Sequence, residues 1–319
     1  MSPLLAAVIP YVLGAGPLAP ALPGRPTAGR RPMLAYVARV YYPPGDRRKS
    51  HQQLYISDLD GHHRRQLTHG PKDVDEVQWD GSGALVWWDS TYDNRAATYR
   101  YTVYESHLRP FRPRLVCRLE SDPGTRASGY RRGVSVLDLD SGTWLIHDGH
   151  ASPVKDAELG TALNAWRNDD GDRWGFGTGR RIDVKLGQEA TTVSQGTRSW
   201  TLPILSGGLG FYLPDIDRGD TILLLGYLLG AYHSNEDHFY SLDWATGKTT
   251  ELVGGLGCMD FDVDSPYYAG TSFAGRGLIP YGRGRNVWGA KLYAGDWKTG
   301  KRWLVLGGRV YVTSVAVQP

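Results

Sequence analysis

Cysteine is scarce: the chain holds two, Cys117 and Cys258, far apart and in no Cys-x-x-Cys spacing. This excludes a zinc ribbon and a dithiol redox motif, and leaves two buried free thiols as the expected state. If the chain is exported, a bridge between them is chemically permitted. Long hydrophobic runs are missing as well. Beyond the first residues the most apolar stretch, 221–229, is nine residues long, which suits a buried strand and cannot cross a bilayer as a helix. Charge of one sign is barely in excess, with a formal net charge of +3 and arginines scattered along the chain, so nothing supports a nucleic-acid partner. No Gly-x-Ser-x-Gly elbow occurs. The nearest strings, Gly81-Ser82-Gly83 and Gly270-Thr271-Ser272, sit in turn or strand contexts, and no α/β segment remains to house a serine-hydrolase triad.

Residues 1–25 read as a signal peptide or a disordered leader. The first 24 carry no charged side chain, residues 4–13 are apolar, and Ala19-Pro20-Ala21 offers a small-residue cleavage site. A basic start is missing, and Pro10, Gly14, Gly16 and Pro17 exclude a spanning helix. Export to the periplasm or the extracellular space is the expectation. No cysteine follows to anchor a lipoprotein. Residues 30–319 are expected to form one domain, since single all-β domains reach such lengths.

What the chain has in quantity is glycine (41), tyrosine (19) and tryptophan (11), a mix that suits many short strands joined by turns. It also has a repeat. Leu54-Tyr55-Ile56-Ser57-Asp58-Leu59-Asp60-Gly61 returns in units starting at Val134, Phe239 and Leu292, each with an Asp four residues after its first residue and a Gly seven or eight after it. Alternating apolar residues make a half-buried strand, and Asp with Gly makes the turn, so each unit is an antiparallel hairpin. Weaker units start at Val103 and Ile182. The starts are 49, 31, 48, 57 and 53 residues apart. Periods of about 50 fit four-stranded propeller blades.

A second pattern lies between the hairpins: a strand, a tight Asp/Gly turn and a more apolar strand. Val77-Gln78-Trp79-Asp80-Gly81-Ser82-Gly83-Ala84-Leu85-Val86-Trp87-Trp88 is the fullest copy, and others start near Ala165, Phe211 and Met259. The N-terminus carries only the second half, at 34–40, and the C-terminal strand at 310–317 has no hairpin after it. The expected fold is therefore an all-β propeller of four-stranded antiparallel blades, closed by the C-terminal strand joining the N-terminal blade. Six blades are expected, one of them reduced, because the short gap before Val134 lacks room for a full inner pair. The alternative is five blades with an extra hairpin around 97–120.

These units resemble the TolB-like, WD-repeat-related propeller family. Asp58-Leu59-Asp60-Gly61 followed by Arg64-Arg65-Gln66-Leu67-Thr68 matches the family's hairpin. Trp79-Asp80-Gly81-Ser82-Gly83 stands where the family has a Trp-Ser-Pro-Asp-Gly turn, and Pro214-Asp215 matches that turn in part, with Ile216 departing from it. The resemblance spans residues 33–317. It implies the fold and leaves the function open, since such propellers serve as adaptors, enzymes and accessory domains.

Candidate ligand-binding residues lie in two loops, each expected between the second and third strands of a blade and hence on one rim. The first contributes Asp89, Tyr92, Asp93 and Arg95; the second contributes His233, Glu236, Asp237 and His238. The plainer reading of the second is a solvated turn flanked by histidines. No metal site is expected elsewhere: His62 and His63 share a turn where side chains diverge, and His147 and His150 straddle Asp148-Gly149. The run Asn168-Asp169-Asp170-Gly171-Asp172 lacks the distal Glu of a calcium loop and coincides with an inner-strand turn. The tryptophans, including Trp79, Trp87, Trp88, Trp166 and Trp174, are expected mainly in the cores between blades.

The function expected from the sequence is an exported, non-enzymatic scaffold, monomeric and without cofactor, that binds a protein or a glycan on one rim. The alternative is a carbohydrate-active enzyme, a polysaccharide lyase or glycoside hydrolase, built on that rim. Such chemistry needs paired carboxylates or clustered metal ligands.

Overall fold

The computed structural model describes residues 32–40, 51–80, 83–121, 135–139, 142–147, 149–155, 165–167, 174–176, 182–186, 190–203, 209–217, 221–228, 237–261, 266–272, 278–280, 286–288, 291–307 and 310–318. Every regular element among them is a strand. No helix there is long and apolar enough to cross a membrane.

The first sheet contains β1 (Met33–Val40), β2 (Gln52–Asp58) and β3 (Arg65–Gln66). The second is a four-stranded meander of β4 (Glu76–Trp79), β5 (Leu85–Asp93), β6 (Thr98–Ser106) and β7 (Arg114–Ser121). The hairpin near 97–120 is thus the outer half of a complete sheet. A three-stranded sheet follows, made of β8 (Ser135–Leu139), β9 (Gly142–His147) and β10 (His150–Val154). Next come the pair β11 (Ala165–Arg167) and β12 (Trp174–Phe176), and the sheet β13 (Asp183–Leu186), β14 (Ala190–Gln195) and β15 (Arg198–Pro203).

The strands β16 (Leu209–Asp217), β17 (Thr221–Leu228), β18 (Asp237–Asp243) and the first part of β19 (Thr249–Phe261) then form an antiparallel meander, whose first strand also meets β12 in parallel at Ile216 and Phe176. The second part of β19 continues into another sheet with β20 (Tyr267–Ser272), β23 (Lys291–Asp296) and β24 (Lys301–Leu306). The short pair β21 (Leu278–Pro280) and β22 (Asn286–Trp288) lies in the chain between β20 and β23. The last strand, β25 (Val310–Val317), returns to pair antiparallel with β1, giving the order β25-β1-β2-β3.

The repeated Asp is a turn former. Asp243 Oδ1 accepts from the backbone N–H groups of Ala245 and Thr246 at 3.0 and 2.8 Å, and Asp296 Oδ1 from those of Lys298 and Thr299 at 2.9 and 3.2 Å. The glycines that follow, Gly247 and Gly300, take φ of 73° and 70°, where a side chain is disfavoured. In the inner turn Asp80 Oδ1 accepts from Ala84 N–H at 2.7 Å, which closes β4 on β5.

Packing explains why the central strands read as unbroken apolar runs. On β1, Leu34, Tyr36 and Ala38 enter one core while Ala35 and Val37 enter another; on β5, Leu85 and Trp87 part from Val86 and Trp88 in the same way. Both faces of these sheets are therefore covered by neighbours. One core joins the β20-β23-β24 sheet to β25 and β1, the next joins β1 and β2 to β4 and β5, and a third joins β5, β6 and β7 to β8 and β9. A fourth joins β14 and β15 to β17 and β18. Face-to-face contact between sheets consecutive in the chain is the packing of a propeller. A polar tie reinforces it: the Trp79 indole N–H donates to the Ala316 carbonyl at 3.0 Å, between β4 and β25. Trp79, Trp87 and Trp88 all lie in these cores, while the side chains of Trp166 and Trp174 lie outside the described residues. Cys117 is a free thiol that burial pushes up to about 11.

Candidate functional site

The connection from β5 to β6 joins the second and third strands of its sheet, as the sequence pattern predicts, but the turn is tighter than expected. β5 runs on through Asp93, because Thr91 and Tyr92 favour extended backbone and find cross-strand partners in Arg100 and Tyr99. Only residues 94–97 turn. Asp93 holds that turn: its Oδ1 accepts from the N–H groups of Arg95 and Ala96 at 2.9 and 3.3 Å. These hydrogen bonds keep its carboxyl below the usual carboxylate range. Its Oδ2 lies 3.2 Å from Arg100 Nη2, and Arg100 Nε donates to Glu120 at 2.9 Å.

Around this frame the hairpin exposes aromatic surface. Tyr92 is 43% exposed and packs on Tyr99 with ring centroids 5.0 Å apart, and Tyr99 packs on Tyr101 at 6.2 Å. Three tyrosines thus step from the tip toward the core that holds Tyr101. Arg95 is exposed beside them.

Asp89, expected in the loop, lies instead within β5 and is buried, with Lys72 Nζ 3.9 Å from its carboxylate. The Tyr104 phenol nearby is shifted upward, first by its own burial and then by the Asp89 charge. Asp75, whose N–H donates to the Trp88 carbonyl, enters β4 next to Asp89. Burial raises its pKa, and hydrogen bonds from Ser90 oppose the rise. Glu76 follows on β4, where burial, with a smaller part from the Asp75 charge, pushes its carboxyl up to about 8. Asp75 and Glu76 were missed in the sequence reading. The acidic run Asp73-Val74-Asp75-Glu76 at the entry of an inner strand was the available signal.

The second loop offers less. His233 and Glu236 lie outside the described residues, and Asp237 and His238 open β18, their backbones opposite Tyr227 and Gly226 with side chains not described. β17 and β18 are the second and third strands of the antiparallel run β16–β19, as β5 and β6 are of theirs.

His63 Nδ1 meets Asp58 Oδ2 at 2.8 Å while His62 is exposed, and His147 pairs with His150 across a hairpin. Residues 168–172 lie outside the described residues. Among the described residues no group of three His, Cys, Asp or Glu side chains is placed to hold a metal ion.

No family model and no curated protein matches the sequence. Solved structures do. TolB from Acinetobacter baumannii is similar with a TM-score of 0.53 at 12% identity, over 90% of this chain and 67% of that one. The β-propeller domain of the Trilobed protease from Pyrococcus furiosus has a TM-score of 0.39 at 11% identity, over 86% of this chain and 78% of that domain. The AtxE2 isopeptidase has a TM-score of 0.44 at 8% identity, over 88% of this chain and 53% of that protein. The chain therefore has a TolB-like β-propeller fold.

Proposed function

We propose that this protein is an exported, non-enzymatic propeller of six blades that binds a protein or a glycan on the rim carrying the β5–β6 hairpin. The six blades are the β25-β1-β2-β3, β4–β7, β8–β10, β11–β15, β16–β19 and β19-β20-β23-β24 units, with the ring closed through β25. The observation that carries the function is the tyrosine ladder of Tyr92, Tyr99 and Tyr101, exposed at its tip and stiffened by Asp93 and Arg100. Tyrosine offers a large amphipathic face at low entropic cost, suited equally to a protein surface and to the apolar face of a sugar. Arg95 adds an exposed guanidinium for carboxylate or hydroxyl partners. On this reading, connections between second and third strands share one rim, and the stretch between β17 and the start of β18, which carries His233, Glu236, Asp237 and His238 in sequence, would contribute to it. Periplasmic or extracellular location rests on the apolar leader, and a monomer is the expected state.

The second reading, a carbohydrate-active enzyme, draws support from Glu76, a carboxyl poised to hold a proton at neutral pH, near the acid Asp75. A thermal-shift screen against oligosaccharides and divalent metals finds the ligand, because a ligand of the folded state raises the melting temperature by mass action, and mass analysis of the bound sugar separates the two readings. A scaffold returns its oligosaccharide unchanged in mass. Cleavage of the sugar, lost in Glu76→Gln, would select the enzyme.

A further inference from the structure

At the opposite end of the same sheet, the connection from β6 to β7 builds a second feature from a short alternating string, His107-Leu108-Arg109-Pro110-Phe111-Arg112. Leu108 and Phe111 turn inward, while Pro110 stays exposed. Leu108 and Phe111 pair through an isolated bridge and pack on the core of the first two sheets, with Phe111 stacked on Trp87 at 5.6 Å. The buried Ser106 hydroxyl fixes the backbone from within, accepting from Arg112 N–H and donating to the His107 carbonyl, both at 2.8 Å. Arg65 Nη2 donates to the Leu108 carbonyl from the neighbouring sheet at 3.4 Å.

With Leu108 and Phe111 inside, His107, Arg109, Pro110 and Arg112 line a cleft of about 500 Å³ together with Glu105, Ser106 and Arg114. Arg114 is fixed from two sides. Its guanidinium donates to the largely buried Glu105 carboxylate at 2.7 Å, and it lies across the backbone of Gly149, where any side chain would collide with it. Arg109 and Arg112 are exposed and have no acidic partner among the described residues. Three guanidinium groups against one carboxylate leave the cleft positively charged, on a loop whose shape is set before anything binds. Guanidinium forks match the two oxygens of a carboxylate or phosphate, and the volume is that of a small-molecule site.

We propose that this cleft is an oxyanion site that takes the carboxylate or phosphate group of a small organic ligand through Arg109 and Arg112, with Arg114 as its fixed wall. The site is independent of the rim on the β5–β6 side. Titration calorimetry of the full chain at low ionic strength, with inorganic phosphate and separately with citrate as probes, tests it. At least one probe binds the wild type saturably, and the tighter of the two names the oxyanion. Arg109→Ala with Arg112→Ala weakens binding roughly tenfold or more, the loss expected when charge-assisted hydrogen bonds disappear. Arg109→Gln with Arg112→Gln does the same while preserving side-chain bulk, and both pairs melt as the wild type does because the changes are exposed. Tyr92→Ala leaves the titration unchanged. Saturable binding of neither probe, or equal binding by wild type and both double variants, would overturn the proposal.

Discussion

Replacing Gly61 with alanine adds one methyl group at the place where the first hairpin turn meets the outer strand of the last sheet. Gly61 has φ of 81°, and a Cβ there would stand 2.8 Å from the Val305 carbonyl oxygen and 3.0 Å from its Cα. The neighbour is β24 backbone, which cannot rotate aside as a side-chain tip can. The turn is tied by the Gly61 N–H to the Asp58 carbonyl at 2.9 Å, and Leu59 is buried in the same core as Val305 and Leu306. Left-handed backbone costs a residue with a Cβ about 1–2 kcal/mol. Forcing a packed contact apart costs about 1–3 kcal/mol more. The expected loss for Gly61→Ala is therefore about 2–5 kcal/mol. Gly300 is the internal control, with φ of 70° and open space where its Cβ would go. Gly300→Ala should lose only the conformational part, about 1–2 kcal/mol. Urea unfolding followed by tryptophan fluorescence compares the two variants. Equal losses would refute the reasoning, since they would mean that the first turn does not rest on β24.

Three further outcomes follow from buried polar groups. Glu76 holds its proton up to about pH 8 in the folded chain and loses it near the ordinary glutamate value when unfolded. The folded state binds the extra proton, so its contribution is full below the unfolded pKa and falls as pH rises toward 8, by at most about 1.4 kcal/mol per pH unit; Glu76→Gln should flatten that fall when melting is followed against pH. Gln78 is 8% exposed, and neither polar atom of its amide has a hydrogen-bond partner among the described residues. Gln78→Met should be neutral or stabilising by up to about 2 kcal/mol in urea unfolding, because an unsatisfied buried amide is removed at similar volume. Trp79→Phe deletes the indole donor to the Ala316 carbonyl and leaves a gap in a fully buried site, for a loss of about 2–4 kcal/mol by the same measurement.

Most of the strand plan was legible because its signals are local. Asp243 and Asp296 accept the backbone N–H groups of their own turns, so an Asp at fixed offset before Gly states a hairpin in four residues. The pairing of β25 with β1 was legible for a different reason: a half unit at each end of the chain leaves two strands that complete each other. What escaped depended on partners distant in sequence. Asp89 reads as a loop residue until Thr91 and Tyr92 are seen to pair with β6, which carries β5 to Asp93. β19 reads as two strands, yet it runs unbroken from one sheet to the next. The acidic run at Asp73-Val74-Asp75-Glu76 marks the entry of β4 but not the surroundings of Asp75 and Glu76, because neighbours such as Asp89 and Ser90 come from β5. In the β6–β7 connection, every second or third residue is basic, but only the inward anchoring of Leu108 and Phe111 shows why the arginines share a cleft.

The claim that the β5–β6 rim is the binding surface is tested most directly by hydrogen exchange of the full chain with and without the ligand or partner that its thermal-shift screen selects. The account predicts slowed exchange in residues 91–100, around Tyr92 and Arg95, and loss of that protection together with binding in Tyr92→Ala. Protection elsewhere that leaves 91–100 unchanged, with Tyr92→Ala binding as the wild type does, would contradict it.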